Sequence, residues 1–233
     1  MKTAIKIDGQ PVNVPSSWHE LTYGQSLRLK DATDVEAMHV LTGVELEVCQ
    51  RVRPELIAAI LYPSTVMSEP ELIDSPLILG KEVPRKIGSM EFARKVNVDA
   101  LKGDDVVGRM VAIYCADGIE DEDIRLTYEL IMDEPFTHVL SAAKIISDQL
   151  ILLKKSEDKI QSPEYESDEL RAGIKDFSKY GTFGLVRGIA LRHHCTMEDV
   201  YRWPYNSVLL ELRISADENS YQRRLNRILS KKK

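Results

Sequence analysis

The sequence predicts a mainly α-helical protein with an N-terminal β-hairpin, a helical middle region and a C-terminal helical module. Three observations carry this prediction. Apolar residues alternate with a period of two only in residues 3–14, they recur at helical spacing after Trp18, and prolines stand where helices start or stop. The 233-residue chain is 43% hydrophobic and 29% charged, so we expect a folded globular protein of one large or two smaller domains.

The first 20 residues are the predicted hairpin arm. Residues 3–7 alternate between apolar and polar, Asp8-Gly9 supplies a turn, and residues 12–14 alternate again before Pro15. A two-stranded hairpin is only marginally stable alone. We therefore expect the arm to dock either on the rest of this chain or on a partner.

Residues 21–153 are the predicted helical domain. Four prolines make residues 62–86 an ordered connection rather than a long helix. The clearest helix start is Asp133-Glu134-Pro135, where proline occupies the first turn and the acids face the positive end of the helix dipole. The apolar stripe that follows contains Val139, Ala143, Ile146, Leu150 and Leu153. This spacing predicts a core helix.

Residues 154–167, KKSEDKIQSPEYES, are the predicted linker because they are polar, charged and interrupted by one proline. They separate the helical domain from a C-terminal helical module over residues 168–233. No internal repeat is apparent in the sequence.

Three helices are expected in the C-terminal module. The first covers residues 182–194, and the second is capped by Thr196 with Asp199 as its capping-box acid. Pro204 disfavours continuation of the second helix, so we expect it to end at Trp203. The third helix covers residues 205–229.

The charge and cysteine content exclude several classes of function. The net charge of −6 gives no global electrostatic reason to bind nucleic acid or anionic lipid. The three cysteines are widely spaced and odd in number, which is typical of a reducing cytoplasm rather than a disulfide framework. The N-terminus lacks the apolar run of a signal peptide, and the longest apolar runs are too short to span a membrane. We expect a soluble protein.

No motif in the sequence predicts catalysis or a cofactor. His193-His194-Cys195 could ligate a metal, but adjacent helical residues diverge by roughly 100°, which favours a structural role. Residues 120–123 are consecutive acids before a helix, without the alternation of a calcium loop. We therefore predict that the protein is not an enzyme. A metal-dependent enzyme using these groups stays open as an alternative.

The candidate partner-binding residues are two kinds of side chain. Aromatic residues are frequent interface anchors, although each of them could equally pack in a core. Arginines near the C-terminus form a basic tail with three terminal lysines and no acid after Glu218, which could dock an acidic partner or end a solvated helix. The candidates are Trp18, Trp203, Tyr205, Arg223, Arg224 and Arg227.

Two groups of residues resemble the tail-assembly chaperones of long-tailed bacteriophages. The first is residues 14–25, VPSSWHELTYGQ, followed by LTGV at residues 41–44. The second is FGLVRGIA at residues 183–190, followed by MEDVYRWPY at 197–205 and VLLEL at 208–212. Together these segments comprise 38 of the 233 residues.

The resemblance implies a non-enzymatic protein-binding factor in bacteriophage tail assembly, with no catalytic residues to carry over. Its partners would be tail tube, tape measure or baseplate subunits, and its location the host bacterial cytoplasm. The large middle region leaves an alternative open, a structural component of the tail tip, baseplate or neck that remains in the virion.

Overall fold

The fold class predicted from the sequence is confirmed in its broad form. The computed structural model describes residues 4–7, 10–65, 69–160, 170–171 and 173–230, and these are mainly helical with a small two-stranded hairpin. The strands are β1 (Ala4–Ile7), β2 (Gln10–Asn13), β3 (Leu77–Ile78) and β4 (Lys81–Glu82). The helices are α1 (Tyr23–Leu29), α2 (Asp34–Thr42), α3 (Leu46–Cys49), α4 (Pro54–Thr65), α5 (Phe92–Asp99), α6 (Val106–Cys115), α7 (Asp121–Ile131), α8 (Phe136–Glu157), α9 (Gly181–His193), α10 (Met197–Arg202) and α11 (Tyr205–Ser230).

The chain divides into two compact units. Unit 1 comprises residues 1–84 and 101–146, and unit 2 comprises residues 85–100 and 147–233. This division differs from the one predicted at residues 154–167. Helix α8 runs without a break to Glu157, and α5 belongs to unit 2, so the chain passes between the units three times. The predicted linker residues 161–167 lie outside the described residues.

The N-terminal hairpin packs on unit 1 of the same chain. Strands β1 and β2 pair antiparallel, with Ile5 opposite Val12 and Ile7 opposite Gln10, and the turn at Asp8-Gly9 lies outside the described residues. Ile7, Val12 and Val14 are buried in one cluster with Leu21, Met38, Ile60 and other apolar residues. Burial of these side chains supplies the stabilisation that an isolated hairpin lacks.

Unit 2 has its own apolar core, formed where α5, α9, α10 and α11 meet. Phe92 of α5 stacks on Tyr201 and Tyr205, with ring centroids 6.1 and 5.8 Å apart. Val186 and Val208 are fully buried beside them. The predicted cap of α10 is confirmed, because the Thr196 hydroxyl accepts from the backbone N–H of Asp199 while the Asp199 carboxylate accepts from the Thr196 N–H.

The two units contain the same bridge motif, which the sequence did not reveal. In each unit a 3₁₀ turn and an extended residue lead into a short helix, and the extended residue pairs with a proline that precedes a long helix. Thr22 pairs with Pro135 in unit 1, and Glu91 pairs with Pro204 in unit 2. The offset between the two motifs is the same on both sides, since 91 − 22 and 204 − 135 both equal 69.

The backbone hydrogen bonds of the two bridge motifs also correspond. In unit 1 the Tyr23 N–H donates to Glu134 O at 2.8 Å, and the Phe136 N–H donates to Leu21 O at 2.9 Å. In unit 2 the Phe92 N–H donates to Trp203 O at 2.8 Å, and the Tyr205 N–H donates to Met90 O at 2.9 Å. Helices α1 and α8 of the first motif therefore correspond to α5 and α11 of the second.

Helix α8 has the length and composition of a membrane-spanning helix, since its most apolar 18-residue window reaches a mean hydropathy of 1.3. The central helix of a soluble domain meets the same criterion. Val139, Ala142 and Ile146 are completely buried, and the buried Ser141 hydroxyl donates to Thr137 O. Of the predicted apolar stripe, Val139, Ala143 and Ile146 are buried as expected, whereas Leu150 and Leu153 are only half-buried.

Candidate binding groove

A groove of about 660 Å³ lies within unit 2, along one side of α11. Its lining combines apolar side chains with charged and other polar ones. The other walls come from α5, the end of α8 and the start of α9. The groove is lined by Phe92, Lys95, Val96, Asp99, Glu157, Ile160, Thr182, Leu185, Tyr205, Leu212, Ser215, Ala216, Asn219, Ser220, Arg223, Arg224 and Arg227.

One end of the groove is organised around Lys95. This lysine is only 9% exposed, and its ammonium lies 2.5 Å from an Asp99 carboxylate oxygen and 3.7 Å from a Glu157 oxygen. The Tyr205 hydroxyl donates a hydrogen bond to the same Glu157 carboxylate. A charge this deeply buried requires a partner. Lys95 therefore fixes both carboxylates of the groove, and Glu157 joins α8 to α11.

The other end of the groove is formed by three arginines on α11. Arg223 and Arg227 are four residues apart, and Arg224 and Arg227 are three apart, so all three lie on neighbouring parts of the helix surface. No acid follows Glu218 in the chain, so α11 offers none of these arginines a carboxylate at helical spacing. Like charges at these spacings repel each other by a few tenths of a kcal/mol, roughly 0.2–0.5 per pair.

Helix α11 has two different apolar surfaces. Tyr205, Val208 and Leu209 are buried in the core of unit 2, and burial ends there, although the helix continues for about six more turns. Leu212 is half-buried and lines the groove. On the rest of the helix, large apolar side chains are exposed to solvent, namely Leu210, Ile214, Tyr221, Ile228 and Leu229.

The corresponding surface of α8 is covered, whereas that of α11 is open. The 69-residue offset matches Leu212 of the groove to Ala143, and Ser215 to Ile146. Ala143 is 6% exposed and Ile146 is completely buried. Leu212 and Ser215 are half-exposed and face the groove. The same structural motif thus presents a filled surface in one copy and an unfilled one in the other.

The structure places four of the six predicted site residues in the groove: Tyr205, Arg223, Arg224 and Arg227. Trp203 lies nearby in unit 2 but packs against the core, with its ring edge-on to His193 at 5.1 Å. Trp18 lies in unit 1, half-buried, with its ring centroid 5.3 Å from that of Phe136.

Sequence reasoning missed the walls of the groove on α5 and α8. Phe92, Lys95 and Val96 carry no motif, and Glu157 and Ile160 fall inside the predicted linker. One signal was available. Lys95 and Asp99 stand four residues apart within the predicted helical domain, a spacing that favours an ion pair on a helix.

The residues considered as metal ligands have other roles. His193 Nε2 lies 3.1 Å from a Glu211 carboxylate oxygen, and Arg192 donates to the same oxygen at 3.2 Å. The His193 hydrogen bond, with help from Arg192, lowers the pKa of Glu211 below its ordinary value. Glu120 immediately precedes α7, and Asp121, Glu122 and Asp123 lie in its first turn. Within the part of the chain that the structure describes, no group of three or more His, Cys, Asp or Glu side chains is arranged to hold a metal ion.

A second polar cluster lies in unit 1, around Asp105 at the start of α6. Asp105 has left-handed backbone angles (φ 49°, ψ 50°), and its carboxylate accepts the Gly108 N–H at 2.9 Å. The same carboxylate accepts the hydroxyl of Tyr23 and, at 2.7 Å, the hydroxyl of Tyr128. Burial and then the carboxylate raise the pKa of Tyr128 to about 12 and that of Tyr23 well above its usual value.

The Asp105 cluster also explains a glycine. A Cβ atom at Gly108 would lie 2.6 Å from both Asp105 Oδ2 and Tyr23 Cε1, closer than side chains tolerate. The cluster is fully paired and joins α1, α6 and α7. It therefore acts as a structural node of unit 1.

The chain matches no protein-family model, no curated protein and no solved structure.

Proposed function

We propose that this protein is a non-enzymatic protein-binding factor in bacteriophage tail assembly, acting in the host bacterial cytoplasm. The sequence resemblance supplies the biological setting. The observation that carries the binding role is the groove of unit 2, whose lining combines apolar and charged side chains. Its partners would be tail tube, tape measure or baseplate subunits.

The shape of the groove favours a polypeptide as its occupant. The lining residues on α11 extend from Tyr205 to Arg227, which is about 33 Å along a helix that rises 1.5 Å per residue. A compact small molecule would contact only part of this length. A segment of another protein can follow the groove from end to end.

The proposed mechanism is transient shielding of aggregation-prone tail subunits. Apolar segments of a partner would be held in the groove and on the exposed apolar side chains of α11 until they are incorporated into the tail. The hairpin offers a second contact. Among the described residues, β1 and β2 pair only with each other, so an outer edge could accept a strand from the partner.

The proposal is tested by purifying the tagged chain from infected cells, before and after particle maturation, and identifying bound proteins by mass spectrometry. We expect tail subunits to copurify before maturation and the chain to be absent from finished particles. Failure to recover any tail protein at either stage would overturn the proposal.

The second candidate is a structural component of the tail tip, baseplate or neck. The exposed apolar side chains of α11 favour it, because permanent interfaces bury such residues. Its expected result is the presence of the chain in purified particles at a fixed ratio to the other tail proteins.

A further inference from the structure

We propose that the chain forms a dimer in which its last helix, α11, pairs antiparallel with α11 of a second copy. The contact surface is the side of α11 that faces away from the core of unit 2. We call this surface the seam, and its residues are Leu210, Ile214, Asp217, Tyr221, Arg224 and Ile228. The dimer is independent of the proposed function, because it involves no tail protein.

The seam residues recur at the spacing of a coiled coil. Successive members are four, three, four, three and four residues apart, which places them on one narrow side of the helix over about 27 Å. The four large apolar members are strongly exposed, by 55% for Leu210, 40% for Ile214, 55% for Tyr221 and 55% for Ile228. An exposed apolar stripe at this spacing indicates a contact with another helix.

The opposite side of α11 already has its own packing partner. Tyr205, Val208 and Leu209 are buried in the core of unit 2. Ile214 of the seam lies about 180° around the helix from Tyr205. A helix with apolar side chains on two opposite sides packs against two structures. Unit 2 supplies one of them, and the seam requires the other.

The equivalent side of α8 is covered near its start by the same chain. The 69-residue offset matches Leu210 to Ser141, which is 2% exposed and whose hydroxyl oxygen accepts the Ile73 N–H at 2.8 Å. This side of the repeated motif is therefore a contact surface in unit 1. In unit 2 the equivalent residue is large, apolar and exposed.

The order of charges along the seam favours a second copy as its occupant. Asp217 and Arg224 are its two charged residues, and Arg224, which also lines the groove, stands at its edge. In an antiparallel pair centred on Asn219, Asp217 of each copy faces Tyr221 of the other. Arg224 of the other copy is three residues further along, or about 4.5 Å on the helix axis. The two-fold symmetry makes this pairing of opposite charges twice.

The apolar residues of the seam match in the same arrangement. Leu210 of one copy meets Ile228 of the other, so both ends of the seam are closed by apolar contacts. Ile214 meets the aliphatic part of Arg224. The seam is therefore complementary to itself, which is the requirement of a two-fold symmetric interface.

A parallel pair is disfavoured by the same residues. It would place Asp217 against Asp217 and Arg224 against Arg224, and like charges at the contact between two helices are unfavourable. Arg213 and Glu218 lie beside the seam and are exposed, where charges contribute less to the pairing. The charges within the seam therefore set the direction of the helices.

The expected dimer is weak. One helix from each copy makes a contact smaller than the standard interface of about 800 Å² per partner, so we expect a dissociation constant of about 1–100 μM. Tyr205 and Leu212, which line the groove, lie on the other side of α11. The same helix can therefore serve both the groove and the dimer.

The test is sedimentation velocity of the full-length chain at concentrations from about 1 to about 200 μM. We expect the mass to rise from 26.4 kDa toward twice that value as the concentration increases. Leu210→Ala/Ile228→Ala should weaken the dimer about tenfold or more, because it removes the apolar contacts at both ends of the seam. The control is Gln222→Arg, which is exposed on α11 outside the seam and should leave the affinity unchanged.

A charge exchange tests the direction of the helices. Asp217→Arg alone, or Arg224→Asp alone, brings like charges together in the antiparallel pair and should weaken the dimer about tenfold or more. The chain with both substitutions regains the opposite charges and should dimerise about as well as the wild type. In a parallel pair each single substitution only replaces one pair of like charges by another, so neither the loss nor the recovery would be seen.

Three results would overturn the proposal. They are a chain that stays monomeric over the whole concentration range, a dimer that the seam substitutions weaken no more than Gln222→Arg does, and a double charge exchange that restores nothing. Circular dichroism of each variant separates loss of the contact from loss of the helices.

Discussion

Replacing Asp105 tests the structural node of unit 1 most directly. In Asp105→Ala, the cap of α6 is lost, which costs about 1 kcal/mol of the free energy of unfolding. The Tyr23 hydroxyl, in a side chain that is only 3% exposed, loses its acceptor at a cost of about 1–3 kcal/mol. Alanine in the left-handed region costs about 1 kcal/mol more than aspartate. The half-exposed Tyr128 can bond to water instead, so the total is about 3–5 kcal/mol.

Two variants separate the contributions to this total. Asp105→Asn keeps an acceptor oxygen, a capping group and a side chain suited to left-handed angles, so it should cost only about 1 kcal/mol. Tyr23→Phe removes the buried hydroxyl itself. In that background the penalty of Asp105→Ala should fall by about 1–3 kcal/mol, because no donor is left unpaired.

The assay uses the tryptophans, one in each unit. In a Trp203→Phe background, Trp18 reports urea unfolding of unit 1 by its fluorescence, since its ring lies beside Phe136. The neighbouring exposed Asp104→Ala is the control and should change stability by less than about 0.5 kcal/mol. The reasoning is refuted if Asp105→Ala costs no more than this control, or if its penalty is unchanged by Tyr23→Phe.

Three further predictions concern the bridge motifs and α10. Val139→Ala and Val208→Ala truncate fully buried side chains at equivalent positions, so each should lower the free energy of unfolding by about 1–3 kcal/mol. Urea unfolding, followed by the fluorescence of the tryptophan in the same unit, measures both. A difference of more than about 2 kcal/mol between the two variants would contradict their equivalence. Thr196→Ala should lower the free energy of unfolding of unit 2 by about 1 kcal/mol, whereas Thr196→Ser, which keeps the capping hydroxyl, should change it little. The fluorescence of Trp203 follows the unfolding. Equal effects of the two substitutions would show that the cap is unimportant. Glu211→Gln should lower the free energy of unfolding by about 0.5–1 kcal/mol near pH 7, because the folded state lowers the pKa of this carboxyl. The stability difference between the wild-type chain and the variant should disappear as the pH falls through that lowered pKa. The exposed Glu218→Gln should show no such pH dependence, and a constant Glu211 effect down to acid pH would contradict the assignment.

Local features of the fold were predictable because they depend on neighbours in sequence. Pro135 and Pro204 mark the residues before α8 and α11, and Thr196 with Asp199 caps α10 as expected. In each case the controlling interaction spans at most four residues. Alternation in the first residues likewise predicted the hairpin strands.

The candidate site was only partly predictable. Tyr205, Arg223, Arg224 and Arg227 stood out by residue type, and the structure brings them into one groove. Trp203 was chosen for the same reason and packs against the core. Residue type alone does not distinguish an aromatic side chain at a surface from one in a core, because both environments favour large apolar area.

The sequence by itself determined the helical class, the hairpin, the starts and caps of helices, and the basic end of the last helix. Only the tertiary structure decided that Thr22 pairs with Pro135 and Glu91 with Pro204, because these bridges are made by backbone N–H and C=O groups, which all residue types except proline carry alike. It also decided that α5 joins the C-terminal unit and that the arginines of α11 line one groove together with apolar side chains. These arrangements depend on contacts between segments far apart in the chain, whose pairing is set by the packing of the whole unit.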